Sequence, residues 1–126
     1  VEYRHRDCFA FLREKTRGGE RADLIILDPA KLAGVREEIP RALKTYNDIN
    51  RLAMEALRPE GLLVSCSCSG LGSDTPCLGV LANAAGEAKR ELQIFRVAGA
   101  APDHPFRTDH PEGRYLKAVF ARCLGP

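Results

Sequence analysis

Two short stretches carry residue types able to do chemistry. "GLLVSCSCSG" (61–70) closes an apolar run with two thiols, Cys66 and Cys68, set between serines. "DLIILDPAKL" (23–32) closes another with an aspartate followed by a proline, Asp28 and Pro29. A thiol beside backbone N–H groups ionises more easily and becomes a nucleophile. A proline restricts the preceding residue to extended backbone, which aims the Asp28 carboxylate away from its own strand.

The flanking elements decide whether these residues meet. "ADLIILD" (22–28) is a continuous apolar run with β-branched residues, the pattern of a strand buried on both faces of a parallel sheet. "IPRALKTYNDINRLAMEALRP" (39–59) carries Leu43, Tyr46, Ile49, Ala53, Ala56 and Leu57 near a three-and-four spacing. That spacing predicts a helix, with Pro40 in its first turn and Pro59 ending it. "GLLVSC" (61–66) is a second buried strand. A helix linking two strands is the crossover of a parallel pair, and ligand crevices in such sheets lie beyond the strands' carboxyl ends. Asp28, Cys66 and Cys68 therefore converge on one rim.

Parity places Cys66 on the face of Leu62 and Val64, packed under a helix as a small hydrophobe. Cys68 lies just past the strand, in a polar turn, and is the better nucleophile candidate. A plainer reading stays open on the sequence: both thiols fill a crowded strand end, and Asp28 caps the next turn.

Around this pair the alternation continues. Residues 1–7 read as a short strand, and "CFAFLREKTR" (8–17) as a helix stopped by Gly18 and Gly19. Thr75 and Pro76 open a helix rich in small residues. "LQIFRVAG" (92–99) and "RYLKAVFARCL" (114–124) alternate as antiparallel neighbours. The long connection between them, rich in Pro, Asp and His, is a candidate functional loop; its His104 and His110 read as structural. The whole predicts an α/β sheet with helices on its faces.

Bulk properties narrow the classes. A chain of 126 residues, 44% hydrophobic and 29% charged, suits one globular domain. No apolar run reaches the ~20 residues of a membrane helix, and no signal-peptide pattern opens the chain. A net charge of +2 is low for a dedicated nucleic-acid-binding domain. "RGGER" (17–21) and "KRE" (89–91) read as solvated turns and helix faces, and lysines 31 and 117 as solvated unless they meet a phosphate. Five cysteines, an odd count without a C-x-x-C pair, argue for reduced thiols in a cytoplasm rather than a disulfide framework. A metal or redox module built on Cys66, Cys68 and Cys77 is a lesser alternative.

Taken together, Asp28-Pro29-Lys31, Tyr46-Asp48-Ile49-Asn50, Ser67-Cys68-Ser69-Gly70, Asp103-His104-Pro105 and Tyr115-Leu116-Lys117 resemble bacterial AdoMet-dependent ribosomal RNA large subunit methyltransferases that form 5-methylcytosine. The resemblance runs from "RDCFAFLREK" to "RYLKAVFARC". It implies a Rossmann-like class I methyltransferase sheet, of strand order 3-2-1-4-5-7-6, whose last strand is antiparallel. This chain would be the C-terminal half of that one catalytic domain, lacking the first two strands. The cofactor implied is S-adenosyl-L-methionine and the partner is RNA.

By the same resemblance Cys68 attacks carbon 6 of a flipped-out cytosine. Asp28 bonds the cytosine edge and also lies at the cofactor. Pro29 shapes the pocket, touching both ligands. Asp7 contacts the adenine of AdoMet, and Lys31, Ser67 and Ser69 meet the substrate. Two positions depart from the family motif: Ala30 replaces its second proline and Leu32 its phenylalanine. The family's glycine-rich AdoMet turn and its RNA-binding domain have no counterpart here, so the isolated chain is expected to bind AdoMet poorly. Residues 1–7 match the family's third strand, and are expected to pair directly with 22–28. Otherwise the free edge of 22–28 pairs with a second copy. A non-catalytic remnant that needs a partner, or only binds RNA, is the alternative in function.

Overall fold

A computed structural model describes residues 1–30, 36–67, 74–105, 107–109 and 116–126. Helix α1 spans Cys8–Arg17, strand β1 Ala22–Leu27, and a single 3-10 turn at Arg36–Glu38 leads into helix α2, Ile39–Ala56. Strand β2 follows at Leu57–Ser67, helix α3 at Asp74–Glu87, and strands β3 and β4 at Glu91–Ala98 and Lys117–Leu124. The four strands form one sheet in the order β1-β2-β4-β3. β1 and β2 are parallel, and β4 is antiparallel to both β2 and β3. This agrees with the 4-5-7-6 portion of the order that the resemblance implies.

α2 forms where its pattern predicts. Pro40 sits in the first turn, where its missing N–H costs nothing. Ala42, Tyr46, Ile49, Leu52, Ala53 and Ala56 are buried along one stripe. The helix ends at Ala56 rather than at Pro59, because Leu57 already has extended backbone (φ −84°, ψ 140°) and begins β2. Gly61 in β2 is required by close approach: a Cβ there would lie 2.9 Å from the Arg58 carbonyl oxygen. Arg58 also pairs with Asp23, joining the amino ends of β2 and β1.

One core unites the helices and the sheet. Leu12 of α1, Leu27 of β1, Leu63 of β2, Leu81 and Ala84 of α3, and Val119 and Cys123 of β4 all belong to it. Burial pushes the Cys123 thiol above its ordinary pKa, against a smaller opposite pull from Arg90. The described helices lie in one layer on one face. The other face is open: Leu24, Ile26, Leu62 and Phe95 are 49%, 62%, 36% and 61% exposed. The expectation that 22–28 is buried on both faces is thus corrected. Its apolar run is continuous, yet Ile25 and Leu27 pack into the core while Leu24 and Ile26 stay exposed.

Two further expectations are overturned. Residues 1–7 form no strand and do not pair with β1; all seven are exposed. They run back over α1 instead. The Arg4 and Arg6 guanidinium groups stand 5.7 Å from the Phe11 ring centre, and Arg6 bonds Glu14 at 2.6 Å. The segment's alternating arginines find partners on the helix, not on a sheet edge.

The "KRE" turn is not a solvated face either. Arg90 is 9% exposed. Its five N–H donors reach five carbonyl oxygens: Nε to Leu124, Nη1 to Met54 and Leu57, Nη2 to Arg58 and Cys123, at 2.7–3.1 Å. One guanidinium thus ties the end of α2, the start of β2 and the end of β4.

Candidate active site at the carboxyl lip of the sheet

β1 and β2 run side by side in the same direction, with Leu27 level with Ser65. Asp28 follows Leu27 and is exposed just past the strand, and Pro29 is half-buried beside it. Across the gap, roughly 4.8 Å between neighbouring strands, β2 continues through Cys66 to Ser67. Ser67 is 7% exposed and lies opposite Lys117, the first residue of β4. Asp28 and the residue that leads directly into Cys68 therefore share one lip, as the crossover argument required. Cys68, Ser69, Lys31, Gly70 and His110 lie outside the described residues.

Cys66 is placed differently from expectation. It is half-buried on the open face with Leu62 and Val64. Parity assigned the right neighbours, but the helices cover the opposite face, that of Gly61, Leu63, Ser65 and Ser67.

Asp7 does not sit in a strand. It is the N-cap of α1, and its Oδ2 accepts a hydrogen bond from the Ala10 N–H at 3.2 Å. The short turn 18–21 makes α1 return antiparallel to β1, so the N-terminus of α1 comes back toward the carboxyl end of β1. Between them runs a groove of about 500 Å³ along β1's free edge, walled by Phe11, Leu12, Leu24 and Ile26.

Beneath the lip lies a buried polar chain that sequence reasoning passed over. Ser65 Oγ donates to Asn50 Oδ1 at 2.7 Å, so it accepts from the Tyr46 hydroxyl at 2.6 Å. Asn50 Nδ2 donates to the Tyr46 carbonyl at 2.8 Å. A second set ties α2 to α3: Asn47 Nδ2 donates to Glu87 at 3.0 Å, and Asn83 Nδ2 to Asn47 Oδ1 at 2.9 Å. Tyr46 and Asn50 stand one helical turn apart on the covered face, and Ser65 has the buried parity of β2. That coincidence of polar residues on apolar faces was the available signal.

His104 Nδ1 lies 3.1 Å from Asp103 Oδ1 in an exposed turn. Among the described residues no group of three or more His, Cys, Asp or Glu side chains could hold a metal ion. No described helix is long and apolar enough to cross a membrane.

The strand order, with an antiparallel β4 inserted beside β2, is that of the class I methyltransferase fold. Solved structures bear this out. SMU.776, an inferred methyltransferase complexed with SAH, matches 93% of this chain and 30% of its own at TM-score 0.75 and 19% identity. A Streptococcus mutans structure, described as a SAM-dependent methyltransferase, gives TM-score 0.72 and 17% identity over 93% of this chain and 29% of its own. In sequence the chain is similar to ribosomal RNA large subunit methyltransferase I. Identity is 42% over 124 residues with the Tolumonas auensis protein, covering 98% of this chain and 31% of that one. The Shewanella frigidimarina protein is also 42% identical, over 122 residues, 97% of this chain and 31% of its own. The chain thus spans under a third of the length of these curated relatives. No family model matches it.

Proposed function

We propose that this chain is the C-terminal part of the catalytic domain of an AdoMet-dependent ribosomal RNA methyltransferase that forms 5-methylcytosine. The observation that carries the reading is the parallel register of β1 and β2, which sets Asp28 and the entry to Cys68 on one lip. The similarity to large-subunit rRNA methyltransferases along nearly the whole chain supports it.

In this reading the Cys68 thiolate gives an electron pair to carbon 6 of an extruded cytosine. The S–C6 bond forms, and the displaced π electrons make carbon 5 nucleophilic. Asp28, exposed at the lip, accepts from the exocyclic amine and holds the ring, with Pro29 against it. Lys31, Ser67 and Ser69 flank the substrate. Loss of the carbon 5 proton to a base then lets the S–C6 bond break and returns the thiolate.

Phe11, Leu12, Leu24 and Ile26 give the groove between α1 and β1 apolar surface for a purine, beside Lys15, Glu20 and Arg21, and Asp7 and Asp28 adjoin its lining residues Cys8 and Leu27 in the chain. Asp7, Asp28 and Pro29 would hold the cofactor, which when bound supplies the methyl group that carbon 5 receives. The groove is closed on one side only, since β1 pairs with β2 alone among the described residues. The isolated chain therefore binds AdoMet weakly. Calorimetry is expected to show no micromolar binding, and micromolar binding would overturn this account of an incomplete site. A chimera carrying this sequence in place of the matching part of the Tolumonas auensis relative is expected to trap RNA containing 5-fluorocytosine, because fluorine cannot leave as a proton. Cys68→Ser is expected to abolish the trapped band. Methylation without trapping would point to an exocyclic amine as acceptor.

The free β1 edge and the exposed Leu24 and Ile26 favour a second reading, in which the chain pairs with another copy through Ala22–Leu27. Light scattering across a concentration series tests it. The expected result is a dimer that Ile26→Lys converts to monomer; a monomer at all concentrations removes the homodimer.

A further inference from the structure

The sheet face turned away from the helices carries an apolar stripe across all four strands. Leu24 and Ile26 of β1, Leu62 and Val64 of β2, Phe120 of β4 and Phe95 of β3 make it. The register sets them side by side, Ile26 level with Val64 and Val64 with Phe120. The Phe120 and Phe95 ring centres stand 6.4 Å apart. Val64 and Phe120 are half-buried, and the other four are exposed. A lone exposed leucine is ordinary, whereas a contiguous stripe marks a surface made for contact. A parallel pair such as β1 and β2 is moreover found almost always with both its faces covered.

The flank of the stripe says what kind of cover fits. Arg122 lies level with Leu62 on the same face, and the Arg96 guanidinium stands 5.6 Å from the Phe120 ring centre. Both arginines are exposed, and neither joins an ion pair among the described residues. A second copy laid on this face would bring the same two arginines to the contact. A cover that carries carboxylates answers them instead. Its size is set by the sheet. A helix with its side chains is about 10 Å across, roughly two strand spacings. Laid over β2 and β4, it reaches Ile26 on one side and Phe95 on the other. The source is at hand: the two 42%-identical relatives each have only 31% of their length matched by this chain.

We infer that this face is the seat of an amphipathic helix from the remainder of a longer catalytic domain, outside residues 1–126. Its apolar side meets Leu62, Val64, Phe120 and Phe95, and its acidic flank meets Arg96 and Arg122. The inference rests on the reading of this chain as part of such a domain, and it adds what closes the open side of the sheet.

Benzoylphenylalanine in place of Phe95 in the chimera described above tests it. On irradiation, with and without the 5-fluorocytosine RNA, it is expected to cross-link within one molecule to a carboxylate-bearing stretch of the relative's own part, mapped by mass spectrometry. Hydroxyl-radical labelling of Leu24, Ile26 and Leu62, heavy in the chain alone, should lose most of its intensity in the chimera. Arg122→Glu should lower the chimera's urea midpoint and leave that of the chain alone unchanged, because only the chimera supplies the carboxylates. A cross-link to a second copy or to the RNA, equal labelling in the two proteins, two separate unfolding transitions in the chimera, or equal midpoint shifts for Arg122→Glu would each overturn it. If the face is protected while the chimera fails to trap RNA, the methylation reading falls and the covering helix stands. If trapping holds and the face stays labelled, the covering helix falls alone.

Discussion

Arg90→Met is expected to destabilise the chain by about 3–5 kcal/mol, read as a lower urea midpoint with an unchanged slope. Methionine keeps most of the apolar stem but removes all five donors. The Met54, Leu57, Arg58, Cys123 and Leu124 carbonyls lose their guanidinium partner together. Each carbonyl left buried without a donor costs roughly 1–3 kcal/mol, reduced where water or a backbone N–H can reach it. The Leu57 N–H already reaches the Met54 oxygen, so that one is the least affected. Arg90→Lys is expected to recover only part of the loss, since three donors on one nitrogen cannot span carbonyls from three elements. A midpoint within error of the parent for Arg90→Met would mean that the clamp adds nothing.

Ser65→Ala is expected to cost about 2–4 kcal/mol although it removes one oxygen atom. Ser65 Oγ stands between a donor and an acceptor, so its loss takes one hydrogen-bond partner from both the Tyr46 hydroxyl and Asn50 Oδ1 in the interior. Tyr46→Phe should then cost clearly less in the Ser65→Ala background than alone, because the hydroxyl it removes has by then already lost its bond to Ser65. Urea unfolding of the two single variants and the double variant measures this. Additive losses would show that the three side chains act independently.

Much of the framework around the candidate site was legible in the sequence because its parts are local. The apolar run ending at Asp28, the helix opened by Pro40 and the run ending in "SCSCSG" each follow from short-range pattern, and a crossover helix fixes the two strand ends on one side. The insertion of β4 beside β2 followed from the family resemblance, since alternation alone does not order strands. Residues 1–7 misled for a physical reason. Their alternation has period two, as in a strand, but the arginines reach Phe11 and Glu14 on the neighbouring helix. Arg90 was illegible because nothing marks one member of "KRE" as buried. Its partners are carbonyls 32 to 36 positions away, which have no side-chain signature. The open face was hidden for the converse reason: a continuous apolar run reports that a strand can be covered twice, not that it is.

The two polar clamps grip β2 at opposite ends, Arg90 at Leu57 and Arg58, the tyrosine–serine–asparagine chain two residues before Ser67. A strand pinned at both termini behaves as a beam. Its amides are therefore expected to exchange with solvent more slowly than those of β1, whose outer edge is unpaired among the described residues. Whatever chemistry begins beyond Ser67 thus starts from a strand held at both ends.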